Sequence, residues 1–381
     1  MTDELLGAER VAILIETLEA TVPGGALPTV RETAAGLDRL TLSGRAKALA
    51  AAILADIDGG YAPLAAAVRR AAEHPDFEGW LLWPAGLAVA LGADDAAGDE
   101  HGRAAFDDAL EVLRELTPRM TSEFSVRPLL RHDHERALAR MTGWIDDPDW
   151  NVRRLASEGT RPLLPWGERV PALVSDPSLT LPIIDALHDD PSDSVRRSAA
   201  NHLNDHSRAH PAFAVETARG WLAHRGGPAE LTARHTERTV RHAMRTLVKR
   251  GDPGALALLG FPPAEIEVEP LVLSAQEIAG GGSVGFGAAI ENVGDAEARL
   301  VIDYALFFPD ARGRERSKVF KIAERVLAPG DRTSIAATHS FRPITTRRYY
   351  PGDYAVALQV NGVLHPRADF SLRAESSLFE G

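Results

Sequence analysis

Apolar residues recur every three or four positions along roughly the first 258 residues, as in the face formed by Leu49, Ala52, Ile53 and Ile57. This spacing is typical of an amphipathic α-helix. Asp-Pro pairs interrupt it, and each pair can end one helix and supply a capping carboxylate for the next. The pattern therefore predicts an all-α domain over residues 1–260, punctuated at Asp147-Pro148, Asp176-Pro177, Asp190-Pro191 and Asp252-Pro253.

Part of this helical region is repeated. "DPDWNVRRLASEG" begins at Asp147 and "DPSDSVRRSAANHL" begins at Asp190, so that the Val-Arg-Arg triplets at 152–154 and 195–197 are 43 residues apart. A weaker copy, with Val240 in the place of the first valine, follows 45 residues later. An Asp-Pro turn followed by such a helix at this period is typical of HEAT repeats. We therefore predict a HEAT-like solenoid, in which stacked helix pairs share one core.

After Gly260 the pattern changes to an alternation of apolar and polar residues. The segments 266–274, 283–294, 298–308 and 353–362 alternate with a period of two, and Gly and Asn separate them. Several short strands within about 115 residues are typical of a β-sandwich. The segment Pro351-Gly352-Asp353-Tyr354 resembles the turn in which a tyrosine hydroxyl fastens the corner of an immunoglobulin-like sandwich. We predict an all-β immunoglobulin-like domain over residues 265–381.

Composition narrows the possible functions. The chain of 381 residues has no cysteine, which leaves no disulfide or thiolate chemistry. It has no apolar run of 18 residues, and its acidic N-terminus does not resemble a secretory signal. We expect a cytoplasmic protein without a membrane span, which associates with the nucleoid when it is bound to DNA.

The net charge of −12 is unevenly distributed. Residues 1–118 carry 20 acids and 9 Lys or Arg, whereas residues 194–250 carry 4 acids and 11 Lys or Arg. Because charges act over about 10 Å at moderate salt, a polyanion responds to the local surface. A basic central region is therefore compatible with binding of DNA.

Arginines at equivalent positions in the repeats can follow a phosphate backbone. The alternative is that each arginine holds the preceding Asp turn within its own repeat. We predict that the DNA backbone is bound by Arg153, Arg154, Arg161, Arg196, Arg197, Arg208, Arg241 and Arg245.

The segment 338–354 mixes basic and aromatic residues between two predicted strands. It suits a loop that grips a nucleic-acid backbone, although a solvated hairpin has the same composition. The candidate DNA contacts in it are His339, Arg342, Arg347 and Arg348.

Three isolated carboxylates lie in basic stretches of the sequence. Glu123 precedes Arg127, Glu158 lies among arginines, and Asp205 is flanked by histidines and Arg208. Each could be a helix cap or an ion-pair partner. Trp166, between Pro165 and Gly167, could pack in the core or present an aromatic face to a nucleotide.

Motifs for other chemistry are absent: the sequence contains no Walker A, HExxH or GxSxG pattern. The segments "TSEFSVRPLL", "NVRRLASEGTRPLLPWG", "SVRRSAANHLNDHSRAHP" and "RHAMRTLVKRGDPGALALLGF" resemble the AlkC family of DNA alkylation-repair glycosylases, HEAT-like proteins related to the AlkD family. "HSFRPITTRRYYPGDYAVALQVNG" is similar to the immunoglobulin-like domain of one AlkC subgroup. The resemblance covers most of residues 75–262 and the C-terminal domain.

This resemblance implies a monofunctional glycosylase that removes cationic N-alkylated bases, chiefly 3-methyladenine, from bent double-stranded DNA in base excision repair. The base is not drawn into a deep pocket, and no cofactor or metal is implied. The matching motifs assign Asp205, Glu158 and Glu123 to the reacting sugar and Trp166 to the lesion. We expect a monomer.

The chemistry is consistent with these assignments. A cationic base leaves readily without a general acid, and its departure builds positive charge at C1′ of the sugar. Fixed carboxylates stabilise that charge more in the transition state than in the ground state, and one of them can activate water. The alternatives are a HEAT scaffold without catalytic activity and a structure-specific DNA binder.

Overall fold

The computed structural model describes residues 5–22, 24–95, 100–223, 229–342 and 349–374. The chain divides into two compact units, Met1–Ala243 and Met244–Gly381. The predicted order of an all-α solenoid followed by a β-sandwich is confirmed.

The first unit is helical. In chain order its α-helices are α1 (Ala8–Glu19), α2 (Pro28–Ala34), α3 (Leu42–Asp56), α4 (Tyr61–Ala71), α5 (Leu82–Asp95), α6 (Glu100–Leu116), α7 (Val126–His132), α8 (His134–Thr142), α9 (Trp150–Gly159), α10 (Pro171–Ser175), α11 (Leu181–Leu187), α12 (Asp193–His206), α13 (Pro211–Ala223) and α14 (Ala229–Ala243). None of the helices in the described ranges is by itself long and apolar enough to cross a membrane, although α3 and α4, bent by 118° relative to each other, pass that test as a pair.

The first two copies of the repeat form equivalent helices. α9 follows the turn at Asp147 and is capped by Asp149, which accepts the backbone N–H of Asn151 over 2.7 Å. α12 follows the turn at Asp190, which accepts the N–H of Ser192 over 2.7 Å. The two helices pack together. Their shared alanines, Ala156 and Ala199, are fully buried. The small side chain at this position lets neighbouring helices approach closely.

The third copy of the repeat is not equivalent. Val240 and Arg241 lie in the last turn of α14, which begins at Ala229 and has no Asp-Pro turn before it. The matching letters at 240–243 therefore do not mark the start of a helix, and Arg241 is not the structural counterpart of Arg153 or Arg196.

The second unit begins with two short helices and continues as strands. Its elements are α15 (Arg245–Arg250), α16 (Pro253–Leu258), β1 (Ile266–Val268), β2 (Val272–Leu273), β3 (Glu277–Ile278), β4 (Ser283–Asn292), β5 (Ala298–Pro309), β6 (Glu315–Leu327), β7 (Arg332–Ser340), β8 (Gly352–Val360), β9 (Val363–Leu364) and β10 (Ala368–Leu372).

Two sheets form the sandwich. In one sheet β4 pairs with β1, β2 and β7, and in the other the order is β3-β10-β8-β5-β6, with β9 beside β8. The apolar faces of both sheets share a core that includes Phe286, Tyr304 and Leu358. The predicted tyrosine corner is present, because the Tyr354 hydroxyl donates to the backbone oxygen of Tyr350 over 2.7 Å.

The helices α15 and α16 belong to the compact unit of the sandwich, although the change from helix to strand occurs after Gly260. Leu256 and Phe261 are buried together with Val301 of β5. Gly251 and Gly362 both have positive φ, and a Cβ on Gly251 would lie 2.5 Å from the backbone oxygen of Gly362. Two glycines are therefore needed for this close approach of the backbones.

Candidate active site

Three carboxylates from three segments are joined through two arginines. Glu158 lies in the last turn of α9, Asp205 lies in the last turn of α12, and Glu123 lies in the turn before α7. Arg154 and Arg161 bind them, and we call these five residues the acid cluster. Three carboxylates and two guanidiniums leave the cluster with a formal charge of −1.

Arg161 connects the two helix ends. Its Nη1 atom donates to Oε1 of Glu158 over 2.6 Å, and its Nε atom donates to Oδ2 of Asp205 over 2.9 Å. All three side chains are buried. Burial by itself would lower the pKa of Arg161, but its hydrogen bonds and charge interactions with Asp205 and Glu158 raise that pKa overall. Arg161 therefore remains a cation.

Arg154 connects Glu123 to the same site. Its Nη1 atom donates to Oε2 of Glu123 over 3.0 Å, and its Nη2 atom lies 3.7 Å from Oε2 of Glu158. The Thr121 hydroxyl donates to the same oxygen of Glu123 over 3.0 Å. Burial raises the pKa of Glu123, the Arg154 charge offsets part of this effect, and the negative charge of Glu158 raises the pKa further.

Ser198 holds Glu158 from the opposite side, and Ser157 in turn bonds to Ser198. Ser198 of α12 donates to Oε2 of Glu158 over 2.7 Å, and its hydroxyl oxygen lies 3.0 Å from that of Ser157. Because a hydroxyl donates only one hydrogen, the Ser157 hydroxyl donates to Ser198. His202 Nδ1 donates to the backbone oxygen of Ser157 over 3.0 Å. Burial lowers the pKa of His202 well below its usual range, so this ring is neutral.

The carboxylates differ in their free oxygens. Both oxygens of Glu158 accept hydrogen bonds, from Arg161 and from Ser198. In the part of the chain that the structure describes, Oδ1 of Asp205 and Oε1 of Glu123 accept none. Asp205 is therefore held by one oxygen and keeps the other available for a ligand or water.

Trp166 is exposed in the loop that also contains Arg161. It lies in the loop that follows α9, its side chain is 74% exposed, and its φ is +62°. The alternative of core packing is therefore wrong. Gly167 follows it, and a Cβ at Gly167 would lie 2.7 Å from the buried side chain of Leu164. The loop thus presents an aromatic ring on a backbone that has little freedom.

Arg127 fastens this loop. Its guanidinium is fully buried and donates to the backbone oxygens of Gly159, Arg161 and Glu168 over 2.8, 3.0 and 2.8 Å. Burial lowers the pKa of Arg127 to about 10. The sequence suggested that Arg127 is a basic neighbour of Glu123. In the structure it binds the backbone on both sides of Trp166 instead.

The first arginine of each repeat holds an Asp-Pro turn. Arg153 donates to the backbone oxygen of Asp147 over 2.9 Å and to the carboxylate of Asp190 over 2.7 Å. Arg196 donates to the backbone oxygens of Asp190 and Pro191 over 2.6 and 2.9 Å. These contacts match the alternative in which the arginine is structural, and they leave Arg153 and Arg196 mostly buried. Arg154 and Arg161, also predicted to bind phosphates, are bound to carboxylates instead.

Other predicted backbone contacts lie at the surface. Arg197 on α12 is exposed and pairs with Asp193 over 2.6 Å. Arg245, in the second unit, is partly exposed. Arg347 and Arg348 lie outside the described residues. The remaining exposed candidates are Arg208, Arg241 and Arg342.

His339 contradicts its predicted role. It lies on β7 inside the sandwich and is 5% exposed. Its Nδ1 and Nε2 atoms lie 2.7 and 2.8 Å from the hydroxyl oxygens of Tyr304 and Tyr349. A side chain enclosed in this way cannot bind a DNA backbone.

Ser198 and Ser157 are the site residues that the sequence did not suggest. The sequence does contain a signal for Ser198. This residue aligns with the buried Leu155 of the other repeat and places a hydroxyl where an apolar residue is expected. Within the described residues, no group of three or more His, Asp or Glu side chains could hold a metal ion.

Comparison with known proteins gives matches to a family, to a relative and to a solved structure. A family model described as "Uncharacterised protein YhaZ, C-terminal Ig-like domain" matches residues 267–374. The uncharacterized protein YhaZ of Bacillus subtilis (strain 168) is 38% identical over 275 residues, which cover 72% of this chain and 74% of that protein. The structure of the Pseudomonas fluorescens alkylpurine DNA glycosylase AlkC, bound to DNA containing an abasic site analog, is 31% identical, covers 98% of this chain and 99% of that chain, and has a TM-score of 0.77.

Proposed function

The chain belongs to the AlkC-like family with an immunoglobulin-like C-terminal domain, and we propose that it is a DNA glycosylase that removes alkylated bases. Its substrate is double-stranded DNA that carries a cationic N-alkylated base, chiefly 3-methyladenine. The observation that carries this proposal is the acid cluster, whose buried side chains have a net negative charge and whose Arg161 lies in the same loop as the exposed Trp166.

The reaction needs a site that stabilises positive charge. A 3-methylated adenine departs as a neutral base, and the positive charge moves to C1′ and O4′ of the deoxyribose. A carboxylate about 4 Å from that charge contributes about 4 kcal/mol at an effective dielectric constant of about 20. This energy corresponds to roughly a thousandfold in rate if it acts only in the transition state.

Asp205 is the best candidate for the group nearest the reacting carbon. Arg161 fixes one of its oxygens, and the other is available to face the sugar or to orient the attacking water. Glu158 adds negative charge from a position held by Arg161 and Ser198, and Glu123 assists through its own free oxygen. Trp166 packs against the deoxyribose or the lesion and excludes bulk water.

The proposal includes a bent duplex from which the base is not drawn into a deep pocket. A buried carboxylate at the end of a helix, such as Asp205, can reach the sugar only if the DNA backbone is brought toward it. Bending a site of this size costs about 1–6 kcal/mol. Contacts between exposed arginines and phosphates offset that cost.

The test is to incubate the purified chain with methylated duplex DNA, without added metal or cofactor, and to separate the released bases by chromatography. We expect free 3-methyladenine. An unmethylated duplex is the control. Tight binding of the DNA without release of any methylated base would contradict the proposal and would favour a structure-specific DNA binder.

A further inference from the structure

A narrow basic groove runs between α12 and α14 in the first unit. Its volume is about 190 Å³. Each helix contributes residues three or four positions apart, so that one face of each helix lines the groove. The lining residues are Asp193, Arg196, Arg197 and Ala200 of α12 and His235, Arg238, Thr239 and His242 of α14.

The groove exists because the residue between the two helices is small, whereas the arginines and histidines on either side of it have long side chains. Ala200 is fully buried between the two helices and fills little of the space between them. The Thr239 hydroxyl donates to the backbone oxygen of His235 over 3.0 Å, so its hydrogen is directed to its own helix. His242 Nε2 lies 2.9 Å from the side-chain oxygen of Asn201, which fixes that ring against α12.

The positive charge of the lining residues favours an anionic ligand in the groove. The described residues that line it include three arginines and one carboxylate, Asp193. Asp193 already pairs with Arg196 over 3.3 Å and with Arg197 over 2.6 Å. The groove therefore has a formal charge of +2 with neutral histidines, on a protein whose net charge is −12. Arg197 and Arg238 are exposed, and their planar guanidiniums match the geometry of phosphate oxygens.

We propose that this groove binds one phosphate of the DNA backbone, at a place separate from the acid cluster. The inference rests on the proposed function, and the geometry of α12 connects the two sites. Arg197 and Asp205 are eight residues apart on this helix, which corresponds to about 12 Å. A duplex bound with its lesion at Asp205 is long enough to contact the groove as well.

The test measures how tightly a duplex with an abasic-site analogue binds, by fluorescence anisotropy, at salt concentrations from about 50 to about 200 mM. Arg238→Glu is expected to weaken binding roughly tenfold and to reduce the slope of log affinity against log salt by about one. Asp193→Asn removes the negative charge of Asp193 from the groove at nearly constant shape, and is expected to strengthen binding by roughly twofold to fivefold.

Arg39→Glu is the matched control. It makes the same change of charge at an exposed arginine that does not line the groove. If Arg238→Glu weakens binding no more than Arg39→Glu does, and Asp193→Asn has no effect, the proposal is overturned. If inorganic phosphate raises the Tm of the unsubstituted chain but not of Arg238→Glu, while DNA binding is equal in both, the groove binds free anions and the DNA assignment is overturned.

Base release by the unsubstituted chain is measured in parallel. Loss of DNA affinity in Arg238→Glu supports the groove whether or not base is released. An unsubstituted chain that binds DNA through the groove but releases no base would contradict the glycosylase activity alone.

Discussion

Arg161 Nε donates to Oδ2 of Asp205 over 2.9 Å, and both side chains are buried. The two residues are 44 positions apart and come from different repeats, one after α9 and the other in α12. The same guanidinium also binds Glu158. This single cation therefore determines the separation of two carboxylates that would otherwise repel each other.

Removing that cation should destabilise the first unit. Arg161→Gln leaves Glu158 and Asp205 buried without compensation, and breaking a buried pair in this way typically costs about 3–5 kcal/mol. Urea unfolding followed by circular dichroism measures the change. Arg161→Lys retains the charge and should lose less. Equal stability of Arg161→Gln and the unsubstituted chain would show that the pair contributes nothing.

Ser198 should act as a positioning residue for Glu158. Ser198→Ala removes a donor 2.7 Å from the carboxylate, and we expect base release at saturating protein to fall roughly tenfold, since a hydrogen bond to a charged group is worth about 1.5–3 kcal/mol. Affinity for DNA with an abasic-site analogue should remain unchanged. Ser157→Ala, which removes a hydroxyl that does not touch Glu158, should have a smaller effect. A loss of affinity equal to the loss of rate would instead indicate a general structural defect.

Trp166 should matter for DNA and not for folding. Because its side chain is mostly exposed and its φ is +62°, Trp166→Gly should change the free energy of unfolding by no more than about 1 kcal/mol. Affinity for the duplex should fall roughly tenfold, since aromatic stacking on a nucleotide contributes about 1–3 kcal/mol. The buried Trp144 is the contrast, and its replacement by Gly should cost at least about 3 kcal/mol. Undiminished DNA affinity in Trp166→Gly would remove Trp166 from the site.

The buried histidines should make the first unit sensitive to acid. Burial lowers the pKa of His206 from 6.5 to about 4, so the unfolded chain takes up a proton before the folded chain does. The stability from this group is complete above about pH 6.5 and is lost as the pH falls toward 4, at up to about 1.4 kcal/mol per pH unit. Urea unfolding at pH 7, 6 and 5 measures the slope. His206→Gln should flatten the slope, and an unchanged slope would contradict this assignment.

Local features were predictable from the sequence. The Asp-Pro turns, the helical and strand periods and the Tyr354 corner depend on residues within a few positions of one another, although only Asp176 and Asp252 of the four Asp-Pro pairs cap the helix that follows. The inward direction of His339 could also have been predicted from the sequence, because the period of two along β7 puts it on the same face as the buried Ile335. Its basic and aromatic neighbours favoured a surface loop instead, and the DNA contact predicted for His339 was wrong.

Contacts between repeats were not predictable in this way. Each acid was found as a lone carboxylate in a basic stretch, but its sequence neighbours are not its partners: Asp205 binds Arg161, and Glu123 binds Arg154. These partners depend on how α9, α12 and the turn before α7 pack. The same dependence separates Arg153, which holds two turns, from Arg154, which is next to it in sequence and belongs to the acid cluster.

We expect the free oxygen of Asp205 to stabilise the positive charge that develops on the deoxyribose, and Asp205→Asn in a single-turnover assay on methylated duplex DNA tests this role. The variant retains the shape and an acceptor for Arg161 but loses the negative charge. We predict that release of 3-methyladenine falls by roughly a hundredfold or more, while binding to DNA with an abasic-site analogue is retained. Release at the rate of the unsubstituted chain would show that the carboxylate of Asp205 takes no part in the reaction.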